Sequence, residues 1–253
     1  MSEENREVRD EEYGSDIEIK TPFMTKLENF WYHYKWHSIA ALFAIICILI
    51  CSLQMCTKQG IDFHLMYAGN KEISRVSVGG DTPDYNQLKS AFSQYIDDFD
   101  GDGVKNLTMT TYFSLSPEEI NAVESDPTKE VNYTLLNEDK EAMQTRLGIG
   151  EYYLWLVSPY VYETYGKAGD AVLFVPIKSY APEENSLEFV GEYAVKLSST
   201  AHYKNNATVR RILPEDTLIV LRINSAMASA FGGAENAENY ARAEEVLRRI
   251  LAE

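Results

Sequence analysis

The segment that most constrains this chain is an apolar run at residues 36–57, which contains no Asp, Glu, Lys or Arg. As a helix with a rise of about 1.5 Å per residue, it is long enough to cross a hydrocarbon core about 30 Å thick. Its centre, from Ile39 to Cys51, is apolar on every face, whereas a core helix of a soluble domain keeps a polar stripe. The run therefore predicts a transmembrane helix at 36–57, with a buried core helix as the alternative.

The flanks of this run predict its orientation. Lys26 and Lys35 lie close to its amino end, whereas Lys58 alone follows its carboxyl end. Because basic residues stay on the cytoplasmic side, this bias predicts a cytoplasmic amino terminus and an extracytoplasmic domain at 58–253. More than 30 residues precede the run, so a signal anchor fits better than a cleavable signal peptide. Aromatic rings typical of a membrane interface stand before it: Phe30, Trp31, Tyr32, Tyr34 and Trp36.

Residues 1–35 form an acidic tail and an interfacial segment. Residues 1–20 carry many carboxylates and few large apolar side chains, which predicts disorder, and residues 21–35 suit a helix continuous with the span. A lipoprotein is an alternative, because cysteines end the apolar run. The residues before Cys51 and Cys56 are Leu-Ile and Gln-Met, however, where lipidation requires small side chains. The remaining cysteine of the chain, Cys47, also lies in the apolar run. Residues 58–253 therefore contain no thiol and no Cys-based zinc site.

Residues 58–253 predict one three-layer α/β domain. The order of strand, helix, strand, helix points to a largely parallel sheet, and the close spacing of the later strands predicts a mixed edge. Strands are expected near 61–68, 107–113, 152–157, 171–177, 192–197 and 217–223. Helices are expected after Asp84, Ser116, Asn137 and Ser158, and at about 237–251.

An aspartate-rich loop before the second strand is the most specific chemical signal. Asp98, Asp100 and Asp102 alternate, Val104 offers a carbonyl, and Asn106 holds the ninth position. The loop resembles the calcium loops of EF-hand and dockerin-like repeats and of integrin-type repeats. It departs from the EF-hand at its twelfth position, where Met109 replaces the bidentate Glu. These five residues predict a weak calcium site, of the millimolar class that suits an extracellular module, and the alternative is a solvated acidic turn without metal.

A resemblance extends over most of the chain. Asp62-Phe-His-Leu-Met-Tyr-Ala-Gly69, Gly148-Ile-Gly150 and the stretch from Tyr152 to Glu163 resemble one lobe of a type 2 periplasmic solute-binding protein. The approach from Lys26 to His37 resembles that of single-pass envelope proteins of Gram-positive bacteria. The resemblance implies extracytoplasmic ligand recognition, although a second full lobe does not fit in the available length.

Loop hydroxyls predict where a ligand would bind. Open α/β sheets bind ligands at the carboxyl ends of their strands. Two groups of residues with hydroxyls directly follow predicted strands: Ser158 with Tyr160, and Ser198, Ser199 and Thr200. The alternative is that these hydroxyls only cap helices.

Two functions remain open after these observations. The first is a membrane-anchored extracytoplasmic domain that recognises a ligand at a pocket, and the second is a structural or assembly component of the envelope that binds another protein. An enzyme is not expected, because His64 and His202 show no catalytic spacing with a nucleophile or a second ligand. Residues 58–253 hold 30 Asp plus Glu against 18 Lys plus Arg, and this negative charge disfavours nucleic acid as a partner. The predicted partners are the lipid bilayer, which follows from the apolar run, and a small-molecule or protein ligand.

Overall fold

A computed structural model describes residues 22–56, 60–73, 82–149, 152–168, 171–183, 186–224 and 226–252. The chain divides into two compact units, Met1–Lys58 and Gln59–Glu253. The described part of the first unit is one helix, α1, at Pro22–Cys56. The predicted disorder of residues 1–20 and the last residue of the predicted span, Thr57, fall outside the described residues.

Helix α1 contains the predicted apolar span. Its stretch Asn29–Ser52 is long and apolar enough to cross a membrane, and none of its most apolar window is buried within the described structure. Leu42 is 59% exposed and Phe43 is 68% exposed, an arrangement that is unfavourable in water and suits contact with lipid. The helix begins at Pro22, so the interfacial residues continue into the span without a break. The predicted N-terminal apolar helix is confirmed.

The second unit contains a six-stranded sheet with helices on both faces. The sheet order is β2-β1-β3-β8-β7-β6, and β4 and β5 form a separate two-stranded sheet. The strands are β1 Phe63–Gly69, β2 Leu107–Phe113, β3 Leu154–Val157, β4 Lys167–Ala168, β5 Ala171–Val172, β6 Phe189–Val190, β7 Ala194–Lys196 and β8 Leu218–Leu221. The helices are α2 Pro83–Ser93, α3 Pro117–Glu124, α4 Tyr133–Ile149, α5 Pro159–Tyr165, α6 Ala201–Asn205, α7 Ala207–Ile212 and α8 Ala226–Ala252.

The sheet is mixed. Strand β1 pairs in parallel with β2 and β3, whereas β3–β8, β8–β7 and β7–β6 are antiparallel. Strands β1, β2, β3 and β7 therefore run in one direction, and their carboxyl ends share one edge of the sheet. The predicted α/β class with a mixed edge is confirmed. The connection between β6 and β7, residues 191–193, is too short for the long crossover that parallel neighbours need.

Alternating side chains of the sheet supply two cores, one on each face. On the first face, Leu65 and Leu156 belong to a cluster with α2, α6, α7 and α8. On the second face, Met66 and Trp155 belong to a cluster with α4 and α5. Because successive strand residues point to opposite faces, both faces of β1 and β3 are covered, which gives the predicted three layers.

Several element boundaries differ from the sequence predictions. Helix α4 begins at Tyr133, because the Asn132 side chain accepts the N–H of Leu135 at 3.1 Å, and Asn137 lies inside the helix instead of capping it. Helix α8 begins at Ala226 and not near residue 237. The expected strand 171–177 ends at Val172 and is followed by a single bridge between Phe174 and Arg222.

Candidate functional site

The aspartate-rich loop lies at the amino ends of β1 and β2. The register pairs Phe63 with Leu107, so Asp62 and Asn106 stand side by side immediately before the two strands. The backbone N–H of Asp62 donates to the Asn106 carbonyl at 3.0 Å. The loop, residues 97–106, is thereby fixed against the segment at Gly60, where the described part of the second unit begins.

A buried carboxylate, Asp62, organises this loop. Asp62 is 2% exposed, and its Oδ1 accepts the backbone N–H groups of Phe99 at 2.7 Å and Asp100 at 3.2 Å. Its Oδ2 accepts the N–H of Asn106 at 2.8 Å. Hydrogen bonds to an ionised carboxylate are stronger than neutral ones, and these three hold both ends of the loop. Asp62 was not among the predicted metal residues. The signal that could have found it was its position before a strand parallel to the one that follows the loop.

Asp98 shapes the turn itself. Its Oδ1 accepts the N–H groups of Gly101 at 2.8 Å and Asp102 at 3.1 Å, and its Oδ2 accepts that of Gly103 at 2.8 Å. Gly101 and Gly103 have φ angles of 75° and 87°, in the left-handed region that side chains with a Cβ rarely adopt. The two glycines therefore let the chain turn tightly around one carboxylate.

Three carboxylates of this loop region can share a cation. One oxygen from each of Asp62, Asp98 and Asp100 lies within 4.8 Å of the others. Carboxylate oxygens are the ligands that calcium prefers, and each of the three carboxylates keeps at least one lone pair beyond those used by the backbone N–H groups. The residues present therefore fit a hard cation. Two of the predicted metal residues, Asp98 and Asp100, belong to this group, and Asp62 joins them.

The other predicted metal residues contact the protein. Asp102 accepts the N–H of Val104 at 2.8 Å and that of Gly60 at 3.3 Å. The Asn106 side-chain amide donates to the Gly60 carbonyl at 2.7 Å. Metal binding by Asp102, Val104 and Asn106 stays a prediction. In the structure, the side chains of Asp102 and Asn106 bind the loop to Gly60.

Basic side chains flank the loop. Arg249 Nη2 lies 2.6 Å from Asp97 Oδ2, and Lys105 Nζ lies 3.5 Å from Asp97 Oδ1. The hydrogen bond from Arg249 lowers the pKa of Asp97 below its usual range. Arg242 lies over the Phe99 ring, 4.9 Å from its centroid. These cations offset part of the negative charge, so the loop keeps its shape through protein groups, and a bound cation would add to that stability.

The predicted ligand residues converge at the opposite edge of the sheet. Val157 at the end of β3 and Lys196 at the end of β7 both pair with Leu218 of β8. The residues that follow them, Ser158 and the segment 197–200, are therefore separated by a single strand. The structure therefore brings Ser158 and the segment 198–200 to the same edge of the sheet, as the sequence predicted.

Most of these hydroxyls serve the local backbone. Ser158 is 7% exposed, and its Oγ accepts the N–H of Val161 at 3.3 Å, as a helix cap does. Ser199 Oγ donates to the Lys196 carbonyl at 2.7 Å, and Thr200 Oγ1 donates to the Leu197 carbonyl at 2.7 Å. Ser198 and Tyr160 are half-buried and keep access to solvent. Ligand binding by this group stays a prediction, carried now by Ser198 and Tyr160.

The histidines of the domain pack as ordinary side chains. His202 is buried, with Nδ1 2.9 Å from the Tyr95 hydroxyl and its ring 4.7 Å from that of Phe92. The His64 ring lies against Tyr152 with the centroids 5.5 Å apart. These contacts give both rings a structural role.

Comparison of the chain with protein-family profiles, with characterised proteins and with solved structures gives no match. The resemblance to a solute-binding lobe is therefore a prediction carried by the sequence segments alone.

Proposed function

We propose that this chain is a single-pass membrane protein whose α/β domain lies outside the cytoplasm and recognises a ligand. What supports the anchor is the exposed apolar surface of α1, and what supports the orientation is the lysine bias at its amino end. The observation that carries the recognition function is the convergence of the segments after β3 and β7 at one edge of the sheet. Open α/β sheets bind ligands at such an edge.

The groups at this edge limit the class of ligand. Ser198 and Tyr160 offer hydroxyl groups that both donate and accept hydrogen bonds, and the Tyr160 ring offers a flat apolar face. Such groups suit a neutral or weakly anionic small molecule. Strongly anionic ligands are disfavoured, because residues 58–253 hold 30 Asp plus Glu against 18 Lys plus Arg.

A ligand that co-purifies with the protein tests this function. We expect native mass spectrometry of the full chain, released from detergent micelles, to reveal a bound small molecule. Ser198→Trp should remove most of it by filling the edge between β3 and β7. Ser90→Trp is the matched control, because Ser90 is exposed on α2, and it should leave the ligand bound. A bound protein instead would favour the assembly component, and loss in both variants would contradict the assigned edge.

The proposal includes calcium at the group formed by Asp62, Asp98 and Asp100. A ligand that binds only the folded state stabilises it by RT ln(1 + [L]/Kd), which is about 1.4 kcal/mol at ten times Kd. Millimolar calcium should therefore raise the melting temperature of the full chain by a few degrees. Asp100→Ala should abolish the rise, whereas Asp216→Ala, an exposed carboxylate elsewhere, should keep it. If calcium leaves the melting temperature of the unaltered protein unchanged, the loop is a solvated acidic turn without metal.

A further inference from the structure

A pocket of about 240 Å³ lies beside the carboxyl-terminal half of α5. It is lined by Tyr162, Glu163, Gly166, Val172, Phe174 and Tyr193. A pocket of this volume has room for a small organic group. It lies on the face of the sheet that α4 and α5 cover, and it shares no lining residue with the aspartate-rich loop or with the predicted ligand residues.

Aromatic rings form the floor and a wall of this pocket. Phe174 is 3% exposed and stacks on Tyr162, with centroids 5.7 Å apart and an angle of 13° between the ring planes. Trp155 supports Phe174 from behind in an edge-on contact, with centroids also 5.7 Å apart. The rings are thus held in place before any ligand arrives, which reduces the entropy cost of binding.

Gly166 lets the end of α5 approach the segment that carries Phe174 closely. A Cβ at this position would lie 2.4 Å from the Tyr162 carbonyl and 3.0 Å from the Phe174 ring, so no other residue fits without displacing them. The Leu173 N–H donates to the Gly166 carbonyl at 2.8 Å, which joins the end of α5 to the strand segment that carries Phe174. The close approach of these two segments places the rings beside each other.

The lining selects a cation. Aromatic faces attract ammonium groups through the ring quadrupole, and Glu163, exposed at the rim, adds a negative charge. Burial raises the pKa of Tyr162, with the nearby Tyr193 hydroxyl as a second cause. An anionic ligand would meet Glu163 and a domain rich in carboxylates.

We infer that this pocket binds an alkylated ammonium group, such as the trimethylammonium end of a small molecule. The inference goes beyond the proposed function, because it assigns a second site with its own ligand class. The size of the pocket suits such a group, and its rings and rim carboxylate match the charge.

Choline and its neutral isostere, 3,3-dimethylbutan-1-ol, test the inference. The two probes share a shape and differ in charge, so their affinities separate cation recognition from apolar filling. In calorimetric titrations of the full chain in polyoxyethylene micelles, blanked against empty micelles, choline should bind about tenfold more tightly, as one or two cation–aromatic contacts allow. Equal affinities, or no binding of choline, would overturn the inference.

Variants assign the binding to this pocket. Tyr193→Leu keeps an apolar wall but removes a ring, and should reduce choline affinity about fivefold while leaving the isostere unchanged. Glu163→Gln should reduce choline affinity about threefold and remove most of its dependence on salt. Tyr133→Leu and Glu118→Gln, at exposed positions outside the pocket, are the controls. Choline binding that neither pocket variant weakens would also overturn the assignment. The proposed function is tested separately: loss of a co-purified ligand in Ser198→Trp would support it whether or not choline binds to this pocket.

Discussion

Replacing Asp62 by Ala should lower the free energy of unfolding of the α/β domain by about 3–5 kcal/mol. The change removes the acceptor of the Phe99, Asp100 and Asn106 N–H groups. Each buried donor left without a partner costs about 1–3 kcal/mol, and the partial exposure of the loop lets water recover some of this loss. The carboxylate is itself 2% exposed, so the truncation also leaves a small cavity.

Urea denaturation of the full chain in micelles measures this loss as a lower midpoint. Asp62→Asn keeps the volume and one acceptor oxygen, so about half of the destabilisation is expected. Asp126→Ala serves as a control for loss of a loop carboxylate, because Asp126 contacts only Thr128 and Lys129 through its side chain in the described structure. A loss below 1 kcal/mol for Asp62→Ala would show that the loop holds its position without this residue.

Two arginines in the middle of α1 should abolish export of the domain. A reporter that is active only outside the cytoplasm, fused after Glu253, is expected to be active in the unaltered protein. Ile45→Arg with Ile46→Arg should silence it, because each arginine at the centre of a span costs about 3 kcal/mol of insertion free energy. The two isoleucines are exposed on the helix, so their replacement leaves the α/β core unchanged.

The control for this experiment moves the same charges to the end of the span. Tyr32→Arg with Ser38→Arg should leave the reporter active, because arginine near the amino end can reach the interface and strengthens the inside bias. Activity of a fusion at residue 1, with a silent fusion after Glu253, would reverse the proposed orientation. In parallel, the amount of protein that pellets with the cell membranes measures membrane association.

Local patterns in the sequence determined several elements without help from the rest of the chain. Strand β2 occupies the predicted 107–113, and α3 begins directly after Ser116, as predicted. A capping box starts this helix, in which Ser116 Oγ accepts the Glu119 N–H at 3.2 Å. The partners in such a cap are three residues apart, so any chain with these residues can form it. Helix α1 could also be predicted from local sequence, because a long run of apolar residues is unfavourable in water whatever the rest of the chain does.

The tertiary structure decided the contacts between distant residues. Asp62 meets the loop across 37 to 44 residues, and the sheet order that pairs β8 with both β3 and β7 has no local signal. Helices α6 and α7 have five and six residues, too few to show a helical period, and were missed for that reason. Tyr162, Phe174 and Tyr193 come together only when α5 packs on the sheet. Such contacts depend on which strands pair, and pairing is decided by the free energy of the whole core.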